Sequence, residues 1–287
     1  MDYQIEKTNF EGNQMLKQLI DLQNAVYPNR VFTEKNFNYW YNHNPMGSVI
    51  SFNAFYEDKM IAHYACIPVK INFDGRIVNG LLDIATVTHP DHRGKGLFKS
   101  LANETFIYAI EQKYEFIIGV ANANSFPGYM KYFNFKYIGP LDVKIGFGNK
   151  IYNQINKKIS LSWNYESLKW RLTKSCDYFV NGNTINTKLN FWKFRSILGI
   201  KAIMAYIPSD VISEVKTYVV KSRYRWIRPF NLYIGLGANY KKGFYISLPK
   251  FIKRSPFHLI FLDLTSGELP ELTKENIFFQ LMDFDVI

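Results

Sequence analysis

The sequence predicts an α+β fold, and three observations predict it. Val49–Tyr56, Met60–Asn72 and Arg76–Thr88 are apolar-rich runs joined by Glu57-Asp58-Lys59 and Asp74-Gly75, which reads as an antiparallel three-strand meander with tight turns. A helical-period segment follows directly, with Leu97, Phe98, Leu101, Phe106, Ile110 and their neighbours keeping that period as far as about Lys113. Phe116–Ala121 is then an unbroken apolar run of strand length, as expected of a strand covered on both faces.

The remaining elements fall around these. Tyr3–Lys7 alternates as a first strand. Asn13 is placed to cap a helix carrying Met15, Leu16, Leu19, Ile20, Leu22 and Val26, which Pro28 stops. Thr33 caps a shorter helix with Phe37, Trp40 and Tyr41, ended at Asn44-Pro45. A helix over Ser125–Phe133 and a single strand over Phe135–Phe147 complete a first domain, residues 1–148. Residues 149–287 form a second α+β domain, less regular in pattern. Leu168-Lys169-Trp170-Arg171 resembles Phe37–Trp40, and Ala202–Pro208 resembles Ile61–Pro68 in the same order, so the second domain is either a degenerate copy of the first or a coincidence of composition.

With 287 residues, 47% hydrophobic and 21% charged, the chain has ample material for a core. A formal charge of +11 favours polyanionic partners such as phosphates, nucleic acid or anionic lipid. The basic residues are scattered and no nucleic-acid-binding module is visible, which weighs against nucleic acid. Cys66 and Cys176 are the two cysteines, without the Cys/His spacing of a zinc site, so a reduced, metal-free cytoplasmic protein is expected. No export signal is seen after Met1, and no apolar run approaches the roughly 20 residues of a transmembrane helix, which leaves peripheral membrane contact open. Lys221, Arg223 and Arg225, followed by Arg228, would line one face of a strand, either as an acceptor-binding face or as a charged sheet edge.

The chemistry concentrates at Pro90-Asp91-His92-Arg93-Gly94-Lys95-Gly96. A strand ending in Pro-x-x-Arg-Gly-x-Gly and opening into a helix presents several backbone N–H groups at a helix amino terminus, where the macrodipole favours anions. Gly94 and Gly96 admit a diphosphate close to the backbone, and Arg93 and Lys95 add positive charge at the rim. His89 and His92 flank this turn as solvent-facing or phosphate-contacting residues, and His63 reads as a satisfied core histidine. Asp83 interrupts an apolar context, Leu81-Leu82 and Ile84-Ala85, on the strand leading to the turn. A carboxylate there is expected to have a raised pKa and to serve as a general base; the alternative is an aspartate at a bulge bonded to backbone.

Ala85–Leu97 resembles the hallmark of the GCN5-related N-acetyltransferase (GNAT) superfamily, with Asp91 where the stricter pattern has Gln or Arg. The resemblance covers roughly the first half of the chain. It implies a mixed, mostly antiparallel sheet flanked by helices and an acyl-coenzyme A co-substrate, acetyl or another acyl, with no metal. The implied contacts are Ala85, Thr86, Val87 and Thr88 along the pantetheine arm and the amides of Arg93, Gly94, Lys95, Gly96 and Leu97 at the pyrophosphate. A second signature, a strand, an Asn and a short helix ending in Gly-Phe, corresponds to Phe116–Val120, Asn122 or Asn124 as further cofactor contacts, and Asn134-Phe135. Asn134 replaces the usual Gly, a tolerated exchange because Asn also adopts the left-handed conformation.

The family's general-acid tyrosine would fall at Met130. Tyr129 and Tyr132 flank that slot and are the candidates, either one alternatively a packing tyrosine. The implied reaction is N-acyl transfer to the primary amine of a small molecule. The two-part form resembles acyltransferases of bacterial surface-polysaccharide clusters and implies an amino sugar or nucleotide amino sugar. Peptide, polyamine or antibiotic amines are alternatives, as is a non-catalytic acyl-coenzyme A sensor. Oligomeric state is left open.

Overall fold

The computed structural model describes residues 2–9, 14–147, 152–153, 158–173, 178–181, 183–189, 200–219, 230–239, 244–248 and 256–284. The first part runs β1 (Gln4–Lys7), α1 (Gln14–Val26), α2 (Glu34–Phe37) continued by a π-helical turn (Asn38–Asn42), β2 (Ile50–Tyr56), β3 (Lys59–Phe73), β4 (Arg76–Thr88), α3 (Leu97–Glu111), β5 (Phe116–Ala121), α4 (Phe126–Tyr132), β6 (Lys136–Pro140) and β7 (Asp142–Phe147). The second runs β8 (Tyr152–Asn153), β9 (Ile159–Leu161), α5 (Tyr165–Leu172), β10 (Tyr178–Asn181), β11 (Thr184–Leu189), β12 (Ile200–Tyr206), α6 (Ser209–Val219), β13 (Asn231–Leu236), β14 (Ala238–Asn239), β15 (Phe244–Ser247), β16 (His258–Asp263), β17 (Ile277–Gln280) and α7 (Leu281–Phe284). The expected cap at Asn13, the basic run Lys221–Arg228 and Cys176 lie outside the described residues.

Local sequence accounts for the first meander. Glu57 and Asp58 both take positive φ, as do Asp74 and Gly75, so each hairpin closes with a two-residue turn whose twist matches its strands. Thr33 accepts from the Asn36 backbone N–H while the Asn36 side chain accepts from that of Thr33, a reciprocal cap that starts α2. Pairing then places a two-sided sheet between helices. Phe116 and Ile118 of β5 enter a core with Leu16, Leu19 and Leu22 of α1, whereas Ile117 and Ala121 enter another with Leu97, Leu101 and Phe106 of α3. That alternation explains why β5 reads as continuously apolar.

The expected strand over Phe135–Phe147 is two strands. Pro140 cannot donate to a ladder, and the Leu141 N–H bonds the Phe257 carbonyl, so the chain changes partners there. β6 pairs with β16, while β7 pairs with β13 and β15.

This change has a counterpart. β2, β3 and β4 are an antiparallel meander; α3 crosses over to β5, parallel to β4, and β16 and β6 follow. β10, β11 and β12 are likewise antiparallel; α6 crosses over to β13, parallel to β12, and β7 and β15 follow. Each sequence half therefore lends one strand to the other, β16 between β5 and β6, and β7 between β13 and β15. Strands of both sequence halves share one sheet. β17 and β9 join the halves through β13 and β3.

The topology also reassigns one of the two local likenesses. Ala202–Tyr206 lies in β12, which takes the place of β4, although its sequence resembles β3. The other likeness keeps its position before the meander. α5 has its own reciprocal cap, Asn164 with Ser167, and the two aromatic helices face each other. Trp170 stacks on Tyr39 at 5.2 Å, its Nε1 donates to the Tyr39 carbonyl (3.0 Å), and the Tyr39 hydroxyl donates to the Trp170 carbonyl (2.8 Å).

Candidate active site

The site begins at an irregularity in β4. Ala85 pairs with Ala65 and Asp83 with Cys66, so Ile84 is an extra residue opposite β3. Such a bulge twists its strand and re-aims the side chains beside it. On the other side, the parallel ladder between β4 and β5 runs from Gly80–Phe116 to Asp83–Gly119 and ends there. Beyond it the two strands part, and Ile84, Ala85 and Thr86 line a cleft of about 460 Å³ with Val120, Ala121 and Asn122 at the end of β5.

Asp83 sits where the strands part. Its Oδ2 accepts from the Tyr64 hydroxyl at 2.9 Å and from the Tyr129 hydroxyl in a short hydrogen bond. The Tyr129 oxygen also lies 3.4 Å from Thr86 Oγ1. Burial pushes the Asp83 carboxyl up to about 6, with the hydrogen bonds from Tyr129 and Tyr64 pulling the other way. Burial, followed by the charge of Asp83, holds Tyr129 well above its ordinary value. Gly119 makes room for the carboxylate, since a Cβ there would stand 3.2 Å from Asp83 Cβ. Asp83 thus sits at a bulge, as the plainer alternative had it, but its partners are tyrosine hydroxyls.

The two tyrosines of α4 separate. Tyr129 packs its ring against Phe98 and Phe135 and reaches the cleft. Tyr132 is 45% exposed, lies near the Lys99 and Lys131 ammonium groups, and is not brought to Asp83. Asn122 lines the cleft, but its Oδ1 accepts from the Asn124 and Ser125 backbone N–H groups and so shapes the entry to α4. Asn124 is exposed and does not line the cleft.

The turn lies at the end of the same strand. Gly94 and Gly96 have φ of +72° and +79°, a left-handed conformation that glycine adopts without cost, and a Cβ at either would meet nothing within 4 Å. Gly96 caps α3 without a side-chain hydrogen bond, so the first amides of α3 face that open space. Arg93 and Lys95 are exposed, and Arg93 Nε donates to the Thr88 carbonyl at 3.3 Å. Val87 and Leu97 turn their side chains into the core, leaving only their backbones for a ligand. The open cradle, the basic rim and the parted strands fit an extended amide chain ending in a diphosphate, as in coenzyme A.

His92 bonds Tyr3 through Nδ1 (3.1 Å) and packs on Tyr56, so it supports the turn from behind. His63 is satisfied in the core by Asn53 (2.6 Å) and Tyr41 (2.8 Å), and burial holds it neutral, down to about 3.

Residues 12–138 match the family model of the acetyltransferase (GNAT) domain. Residues 12–138 belong to the GNAT superfamily. Acyl-coenzyme A-dependent N-acyl transfer is the activity of this domain class. Three solved structures resemble nearly the whole chain, each over 92% of it. They are a protein from Enterococcus faecalis described as a probable N-acyltransferase (TM-score 0.59, 11% identity, 73% of that chain), a GCN5-related N-acetyltransferase from Anabaena variabilis (0.57, 13%, 74%), and one from Kribbella flavida (0.55, 10%, 73%). At such identities the likeness establishes the fold and extends it beyond the GNAT domain. No curated protein sequence matches significantly.

Tyr64, buried beneath Asp83, and several residues that line the cleft escaped the sequence reading. Tyr64 was detectable in principle, since it pairs with Thr86 on a neighbouring strand and shares a core with Tyr129. Tyr27, Arg30 and Phe32 from the segment after α1, and Phe257, Leu281 and Phe284 from the far end of the chain, carry no motif. Strand exchange brings the last three there, because β16 runs beside β5 and α7 follows β17. Among the described residues no helix is long and apolar enough to cross a membrane.

Proposed function

We propose that the chain transfers an acetyl or other acyl group from coenzyme A to a primary amine, with Asp83 as the general base and Tyr129 as its proton-handling partner. The observation that carries this reading is the Asp83–Tyr129 hydrogen bond at the point where β4 and β5 part. The thioester brings an activated acyl carbon. A carboxyl with a pKa near 6 is mostly ionised at neutral pH and is placed to take the proton that the neutral amine nitrogen sheds as its bond to the acyl carbon forms.

The Tyr129 hydroxyl donates to Asp83, and Tyr129 lines the cleft. A proton leaving the amine passes to Asp83 directly or through that hydroxyl. As the nitrogen–carbon bond forms and the carbon–sulfur bond breaks, the same pair returns a proton to the departing thiolate. Backbone N–H groups of the parted segment Ile84–Thr88 supply donors for the amide arm and for the thioester oxygen, and the Gly94–Leu97 amides take the diphosphate.

An amino sugar or nucleotide amino sugar is the acceptor class that the two-part form suggests. Thiol release from acetyl-coenzyme A, screened against amino sugars, nucleotide amino sugars, peptides, polyamines and aminoglycosides, tests the reading. Turnover with at least one amine supports it. Tight coenzyme A binding without turnover of any amine would favour a sensor.

A further inference from the structure

We infer that Arg30 is a specificity-determining residue that selects an acceptor amine bearing a carboxylate or phosphate; this rests on the acyltransferase reading above. The argument starts from how Arg30 is held. Tyr27–Arg30 is a turn closed by Arg30 N–H to the Tyr27 carbonyl at 2.9 Å, with Pro28 at the position where its fixed φ favours a turn. The Phe32 N–H is tied back to Asn24 of α1 at 3.0 Å. The Arg30 guanidinium lies over the Tyr27 ring, 6.0 Å from its centroid, and both residues line the cleft that holds Asp83. The turn is thus tied to α1, and the exposed Arg30 side chain stands at the rim of the cleft.

Charge in the cleft points the same way. Among the described lining residues Arg30 is the one cation and Asp83 the one carboxylate. In the proposed reaction Asp83 takes up the proton of the reacting nitrogen, so it cannot also neutralise further ammonium groups. A polyamine or aminoglycoside would bring several cations to a site with no counter-ion for them, in a chain of formal charge +11. An anionic group on the acceptor would meet Arg30, whose planar fork suits carboxylate and phosphate alike. The cleft lining also includes the apolar side chains of Phe32, Phe257, Leu281 and Phe284. Such a lining accommodates the carbon face of a sugar ring or an aromatic body.

The test compares matched acceptors that differ only in the anion, phenylalanine against 2-phenylethylamine and glucosamine 6-phosphate against glucosamine, with spermidine as the polycation. Thiol release gives kcat/KM, and calorimetry on the coenzyme A complex gives binding without turnover. The anionic member of at least one pair should be preferred, chiefly through KM. The pair that responds tells carboxylate from phosphate. In Arg30→Gln that preference should fall about tenfold or more, and Arg30→Lys should restore part of it. An equal loss for both members of a pair would mark a structural role and overturn the inference. So would preference for spermidine, or failure of both anionic compounds to bind the coenzyme A complex. Absence of coenzyme A binding itself would instead remove the acyltransferase reading.

Discussion

Replacing Asp83 by Asn keeps the shape of the group and removes its basicity. Burial lifts this carboxyl from 3.8 to about 6, and each unit corresponds to about 1.4 kcal/mol, so its ionisation in the folded protein costs about 3 kcal/mol more than in the unfolded chain. The folded state therefore binds the Asp83 proton more tightly. The associated stability is fully present below the unfolded value near 4 and is lost as pH rises toward 6. Catalysis runs the other way, because the base must be ionised. For an acceptor amine that titrates well above 6, log kcat/KM should climb with a slope of two below about pH 6 and a slope of one above it. The break reports Asp83 and the remaining slope reports the amine. In Asp83→Asn the break should vanish and kcat/KM should fall by about 10²–10⁴, while thermal unfolding at pH 7 shows a folded protein no less stable than wild type. A pH series of thiol release on both proteins measures all of this. Retention of wild-type kcat/KM and of the break in the Asn variant would refute Asp83 as the base.

Further outcomes follow from the same geometry. Tyr129→Phe removes a hydrogen bond that lowers the Asp83 pKa, so the break should move above 6 and kcat should fall; an unmoved break would separate Tyr129 from the proton path. Gly119→Ala places a methyl 3.2 Å from Asp83 Cβ and should reduce kcat with coenzyme A affinity retained, as paired kinetic and calorimetric measurements can show. Burial likewise pushes Asp283 in α7 up to about 7, although it accepts from Trp163 Nε1 (2.8 Å) and the Gln280 N–H (2.7 Å). Wild type should therefore lose stability as pH rises from about 4 to about 7. Urea unfolding of Asp283→Asn should show a smaller loss, and an identical loss would contradict the assignment.

The first meander, the turn and α3 were legible because each is specified locally, by turn residues at Glu57-Asp58 and Asp74-Gly75, by glycines at the helix entry and by helical spacing. Asp83 was legible for a related reason: one acid in an apolar strand needs an explanation within that strand. Its partners were less so. Choosing Tyr129 over Tyr132 required the direction of α4, which a seven-residue helix does not declare in sequence. The strand exchange left no local mark beyond Pro140, since neither β7 nor β16 carries a motif that names its neighbour. For that reason Phe257, Leu281 and Phe284 could not be assigned to the cleft in advance. The likeness of Ala202–Pro208 to β3 was misleading for a similar reason, because buried central strands share composition whatever their place in the order.

The second half repeats the strand order without the cradle: β12 ends at Tyr206, and Ile207-Pro208 leads into α6 at Ser209 with no glycine between. One coenzyme A per chain is thus expected, at the first half's turn. Titration calorimetry of coenzyme A into the wild type and Gly94→Val tests the account most directly. A β-branched side chain at φ +72° is strained and would project into the open space before the amides. The account predicts one site per chain in the wild type and its loss in a folded Gly94→Val protein. No binding by the wild type, two sites per chain, or unchanged affinity in the variant would contradict it.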